Sequence, residues 1–153
     1  MKIVWLVNIV MPELAEELGL WKTSLGGWLV GQLEGLKNTG NDITIITVPA
    51  DVNEIVYRKI NNINYYLVPK GDDSKLSSDF KELLRELNPD VFHIFGTETH
   101  EAEIAFNIAD PGKTVISIQG LVSVYAAHIA SGISNTDDLI CFGALFTISK
   151  NYL

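Results

Sequence analysis

Five short runs of the chain are almost continuously apolar, β-branched or aromatic: Lys2–Asn8, Ile43–Val48, Tyr65–Val68, Val91–Phe95 and Thr114–Ile118. A strand with one wet face alternates apolar and polar residues, whereas a strand covered on both faces does not. The runs therefore predict buried strands of a mostly parallel sheet. Helical patterns separate them. Leu25, Leu29, Leu33 and Leu36 recur at spacings of four, four and three, which paints one apolar stripe, and Gly40 follows where a helix ends in left-handed backbone. Phe80, Leu83, Leu84 and Leu87 repeat the pattern until Asn88-Pro89 stops it. A third helix is predicted from Glu98 to Ala109, capped by Thr97 and ended by Asp110-Pro111-Gly112. A fourth is predicted from Leu121 to Gly132. The stretch Ile9–Ser24 reads as a long turn, and the residues before Tyr65 as a short irregular piece.

Strands alternating with helices imply an α/β fold, a doubly wound sheet with helices on both faces. In such sheets ligands bind outside the carboxyl ends of the strands, so the residues after each strand are where chemistry is sought. The 153 residues match one ordinary domain, and no repeat, low-complexity tract or linker divides them. The apolar segment Leu139–Ile148, close to the last residue, wants a partner, and the expectation is that the natural chain continues.

Charge narrows the list of partners. Eleven Lys and Arg stand against 19 Asp and Glu, a net charge of −8, which disfavours nucleic acid. One cysteine, Cys141 in an apolar run, rules out an internal disulfide and a multi-thiolate zinc site. No run reaches the roughly 18 consecutive apolar residues of a membrane span. Lys2–Val10 faintly imitates a signal peptide, but Asn8 interrupts it and no small-x-small cleavage site follows. A cytoplasmic protein is the expectation.

Three strand ends carry candidate chemistry. After the first strand, Gly26 and Gly27 open the next helix, with Lys22 and Ser24 close in sequence. Paired glycines there let backbone N–H groups approach an anion. They equally allow close helix–sheet packing. After the fourth run come Gly96, Thr97, Glu98 and His100, where Gly96 permits a sharp turn and the acid and imidazole suit sugar hydroxyls or proton transfer. Capping of the helix is the alternative for Thr97 and Glu98. His93, inside the strand, reads as a hydrogen-bonded core residue, and the spacing of His93, His100 and the nearby acids gives no metal site. After the fifth run, Gln119 offers an amide donor and acceptor for a hydroxyl or carbonyl, and Gly120 opens the turn. Trp5 reads as core, while Trp21 is placed to stack on a ring.

Four segments in order carry a resemblance over nearly the whole chain. They are Lys22-Thr23-Ser24-Leu25-Gly26-Gly27-Trp28, Leu36-Lys37-Asn38-Thr39-Gly40, Asn88-Pro89-Asp90-Val91-Phe92-His93-Ile94-Phe95-Gly96, and Val115-Ile116-Ser117-Ile118-Gln119-Gly120-Leu121. Together they resemble the N-terminal, acceptor-side domain of a GT-B glycosyltransferase of the family 4-like retaining kind. The resemblance implies a Rossmann-like first half of a two-domain enzyme, with a C-terminal nucleotide-sugar domain that is absent from these 153 residues. It implies transfer with retention from a nucleotide-sugar to a glycan-type acceptor, with no obligatory metal or other cofactor. Gly26 and Gly27 would then face the donor phosphates, and Gln119 would sit beside the transferred sugar. Many relatives carry a histidine where Gln119 stands, and the resemblance assigns no catalytic residue here. Such enzymes often work at the inner membrane surface, which makes peripheral membrane association part of what is implied. The other reading is a stand-alone, non-catalytic α/β binding or regulatory module. A nicotinamide-type oxidoreductase is set aside, because no Gly-x-Gly-x-x-Gly follows the first strand.

Overall fold

The computed structural model describes residues 1–20, 26–49 and 52–119 of the chain. Within them the chain runs β1 (Lys2–Val7), α1 (Pro12–Leu18), α2 (Gly27–Lys37), β2 (Asp42–Thr47), β3 (Val56–Ile60), β4 (Ile63–Leu67), α3 (Asp73–Leu87), β5 (Val91–Phe95), α4 (His100–Ile108) and β6 (Thr114–Ser117). The six strands form one sheet in the order β3-β4-β2-β1-β5-β6. All neighbours are parallel except β3, which pairs antiparallel with β4.

Successive side chains of a strand point to opposite faces, and here both faces are buried. On one face, Trp5, Val7, Ile43, Ile45, Tyr65, Leu67 and Phe95 pack against Leu14 of α1 and Leu29 and Leu33 of α2. On the other, Val4, Leu6, Ile46, Phe92 and Ile94 pack against Leu76, Phe80 and Leu83 of α3 and Ile104 and Ala105 of α4. The fold is therefore α/β and Rossmann-like, with helices on both faces of a mostly parallel sheet.

Three local expectations are corrected. The piece before Tyr65 is not irregular: Val56–Ile60 is an edge strand joined to β4 by Asn61-Asn62. Both asparagines have positive φ, 49° and 65°, the pair of left-handed residues that a two-residue hairpin turn needs. Its polar composition, with Arg58 and Lys59 exposed, hid it, because an edge strand is kept polar on its open side. The stretch Ile9–Ser24 is not a turn throughout, since α1 occupies Pro12–Leu18. Its start and stop are ordinary signals, Pro12 in the first turn and Gly19 at φ 65° donating back to Ala15 and Glu16. Finally, α4 begins two residues later than expected and is capped by Thr99 rather than Thr97. The Thr99 hydroxyl accepts from the Ala102 N–H at 3.2 Å. The predicted helix Leu121–Gly132 and the apolar segment after it lie outside the described residues.

Candidate functional site

The order of the strands reverses at β1. From there the chain builds outward through β2 to β4 and β3, then returns across the sheet to β5 on β1's other side. Connections that leave on opposite sides open a crevice beyond the carboxyl ends of β1 and β5. A cavity of about 150 Å³ occupies that place. Its walls include Asn8 after β1, Val48 after β2, Lys70 after β4, Phe95 at the end of β5, and Thr99 and Glu101 at the start of α4.

The polar groups at this mouth are exposed and loosely bonded. The Glu98 carboxylate accepts from the Thr97 N–H at 2.7 Å and from the Asn8 side-chain amide at 3.4 Å. It is curled over Gly96, whose φ is +93°, and a Cβ at Gly96 would stand 2.6 Å from a Glu98 oxygen. The Lys70 ammonium faces Glu101 at 3.7 Å. His100 turns away from the crevice toward α3, with Nε2 at 2.8 Å from Asp73 and Nδ1 at 3.6 Å from Glu103. The hydrogen bond to Asp73 raises its pKa above the usual histidine value.

His93 lies inside β5, on the same face as Phe95 but outside the lining of the crevice. Its Nε2 is 2.7 Å from the Ser117 hydroxyl, its ring stacks on Phe95 at 3.8 Å, and Trp5 meets it edge-on. Burial lowers its pKa and keeps the imidazole neutral near pH 7. This is the hydrogen-bonded, packed histidine that its place inside a strand predicts.

The two glycines before α2 differ. Gly26 is the N-cap residue with φ 81°, and an added Cβ would collide with the Ile9 side chain. Its left-handed backbone accounts for it, because the end of the Ile9 side chain can move aside. Gly27 has ordinary helical backbone, is exposed, and a Cβ there would meet nothing within 4 Å. Packing does not account for it. The turn stands at the carboxyl edge of the sheet, because Ile9 follows β1 and the Trp28 ring lies 5.4 Å from that of Phe95.

Glu98 meets Asn8, which lines the cavity, so Gly96, Thr97 and Glu98 stand at its mouth and outside its lining. The backbone N–H of Gly96 donates to Ser117, so Gln119, two residues farther on and exposed, extends from the strand next to it. Lys22 and Gly120 lie outside the described residues, as does Trp21. Sequence reasoning passed over Asn8, Lys70, Thr99 and Glu101. The rule of looking just past each strand applies to Asn8 and Lys70 directly, whereas Thr99 and Glu101 stand at the start of α4.

The arrangement offers hydroxyl, amide and carboxylate groups around one ammonium, the chemistry that orients polyhydroxylated ligands. Among the described residues, no three His, Cys, Asp or Glu side chains converge closely enough to hold a metal ion. No described helix is long and apolar enough to cross a membrane. Against known proteins, no family model matches the chain and no curated sequence matches it.

Proposed function

We propose that the chain is the acceptor-side domain of a retaining glycosyltransferase, whose complete form moves a sugar from a nucleotide-sugar to a glycan-type acceptor. The observation that carries this reading is the glycine turn at the carboxyl edge. Gly26 is accounted for by its left-handed backbone, while Gly27 beside it has no such need and stands first in an eleven-residue helix, whose leading N–H groups have no partner within the helix. Such an N–H end suits a diphosphate. The hydroxyl-binding groups at the crevice, Asn8, Thr97, Glu98 and Thr99, suit the sugar or the acceptor, and Gln119 extends from the neighbouring strand. No group in this half is assigned to bond breaking. The resemblance puts the nucleotide pocket in a C-terminal domain, and the expected place of work is the cytoplasm, with peripheral association at the inner membrane surface part of what the resemblance implies.

The small cavity favours a second reading. At about 150 Å³ it has room for a small polar ligand rather than a whole nucleotide-sugar, as suits a non-catalytic binding or regulatory module.

The test is nucleoside diphosphate release from a panel of nucleotide-sugars, using the protein purified from its source cells. Gly27→Val is expected to abolish release while leaving the melting temperature unchanged, because its Cβ meets no neighbour. Wild-type turnover in that variant would remove the phosphate-turn assignment. Absence of both turnover and nucleotide-sugar binding in the native protein would leave the binding module.

A further inference from the structure

A second cavity, of about 190 Å³, lies away from the crevice, on the sheet face that α3 covers only in part. It runs from Lys2 of β1 past Asp42 of β2 and Asn64 and Tyr66 of β4 to Tyr57 of β3, with Glu86 of α3 on its rim. These are four neighbouring strands. At the usual strand separation the groove is about 14 Å long.

Its floor is aromatic. Tyr57 and Tyr66 are directly paired across β3 and β4, with ring centroids 5.1 Å apart and planes tilted by 47°. Tyr57 is 46% exposed although its neighbours hold it in place. Its hydroxyl donates to the Asn64 side-chain oxygen at 3.0 Å, and the Asn64 amide nitrogen donates to Asp42 at 3.1 Å. The ring is therefore fixed before any ligand arrives, which lowers the entropy cost of binding.

The groove is also rich in acceptors. Asp42 spends one carboxylate oxygen on Asn64, and Glu86 makes no ion pair among the described residues. Tyr66 stays protonated, held above the ordinary phenol range by burial, then by Glu86 and Tyr57, and so its hydroxyl is a donor. Lys2 is turned to the Leu87 carbonyl at 3.4 Å. Two carboxylates against one engaged ammonium disfavour an anionic ligand.

We propose that this groove binds a neutral oligosaccharide, with the C–H face of one sugar ring on Tyr57 and its hydroxyls on Asp42, Asn64 and Glu86. A flat face with both apolar C–H groups and many hydroxyl donors matches an aromatic floor edged by acceptors. The site is a place of recognition only. It does not rest on the transferase reading, since a binding module would use it as readily.

Affinity electrophoresis tests it, running the full chain through native gels that hold soluble starch, galactomannan or hydroxyethyl-cellulose. At least one polymer is expected to retard the protein. Tyr57→Ala is expected to weaken that retardation about tenfold in apparent affinity. Tyr57→Phe, which keeps the ring, is expected to retain most of it, and thermal melts of both variants separate lost binding from lost folding. No retardation by any of the three polymers overturns the proposal. Retardation that survives Tyr57→Ala but is lost in Gly27→Val belongs to the crevice and overturns it as well. Tyrosine ring resonances that shift with tetramethylammonium but not with maltohexaose would make the groove a cation site instead.

Discussion

Two glutamates, Glu13 and Glu98, each accept from a nearby asparagine amide, and they do opposite work. Glu13 on α1 accepts a hydrogen bond from the hydroxyl of Tyr65, a residue with no exposed surface, and also meets Asn61 at 3.2 Å and Lys37 at 3.6 Å. Burial, then that hydrogen bond, push the Tyr65 phenol far above its ordinary range, so it is a neutral donor at every working pH. Lys37 is held above its usual pKa by its bond to Glu34, with Glu13 adding to it against the burial that lowers it. The cluster ties α1, α2 and the β3–β4 hairpin together. Glu98 instead bonds only groups at the crevice mouth that water or a ligand could serve equally well. Removing a partner from a buried polar group leaves an unpaid desolvation cost, whereas at an exposed site water takes over. The first glutamate is fastened by the fold; the second is available to a ligand.

The largest way to break this contrast is Glu13→Ala, which strands the Tyr65 hydroxyl. It is expected to destabilise the protein by about 1–3 kcal/mol. Glu98→Ala is expected to stay within about 0.5 kcal/mol of wild type. Urea unfolding of both variants decides the matter, and equal losses would erase the distinction between the clusters.

The paired glycines sharpen the same point. Gly26→Ala forces a side chain into left-handed backbone, an expected cost of about 1–2 kcal/mol. Its clash with Ile9 adds little, because the far end of that side chain can move. Gly27→Ala sits in open helical space and is expected to raise stability by about 0.5 kcal/mol. Thermal melts of the two variants should therefore shift in opposite directions. A loss at both positions would make Gly27 structural and weaken the phosphate-turn assignment.

The smallest effect concerns the two described histidines. His93 has its folded pKa lowered below the unfolded value near 6.5. Its neutral burial stabilises the protein above that pH, and the contribution is lost as pH falls through the folded value. His100 has its folded pKa raised. Its ion pairs with Asp73 on α3 and Glu103 on α4 contribute fully below 6.5 and are lost as pH rises through the folded value. Exposure keeps the His100 contribution below about 1 kcal/mol. Urea midpoints between pH 5 and 8 should show His100→Gln removing the alkaline-side loss only. A change confined to the acid side would reverse the assignment.

Much of the architecture was legible before any coordinates. The runs at Lys2–Asn8, Ile43–Val48 and Val91–Phe95 are apolar on both faces, and burial on both faces is what a parallel sheet demands. The hairpin strand Val56–Ile60 was not legible, because an edge strand follows no hydrophobic period that one can read. Helix α1 was missed for a different reason. Seven residues give too short a window for a periodic stripe, and only its Pro and Gly boundaries spoke for it. Gly96 and Glu98 were legible as residues at the carboxyl edge of the sheet from their place after a strand. Lys70 also follows a strand, but its nearness to Glu101 was not legible, since it is made by α4 packing beside α3 on one face of the sheet.

The sequence by itself determined the class of fold, the positions of the buried strands, and the edge at which chemistry is to be sought. Those follow from periodicity and from glycine and proline at boundaries, which are local properties of the chain. Tertiary structure alone decided that Gly26 sits against Ile9 while Gly27 is open, that Glu13 is bound to a buried phenol while Glu98 lies at the mouth of a crevice, and that Tyr57 and Tyr66 share one floor. Each of those depends on residues far apart in the chain meeting in space, and no local pattern encodes which partner a side chain will find.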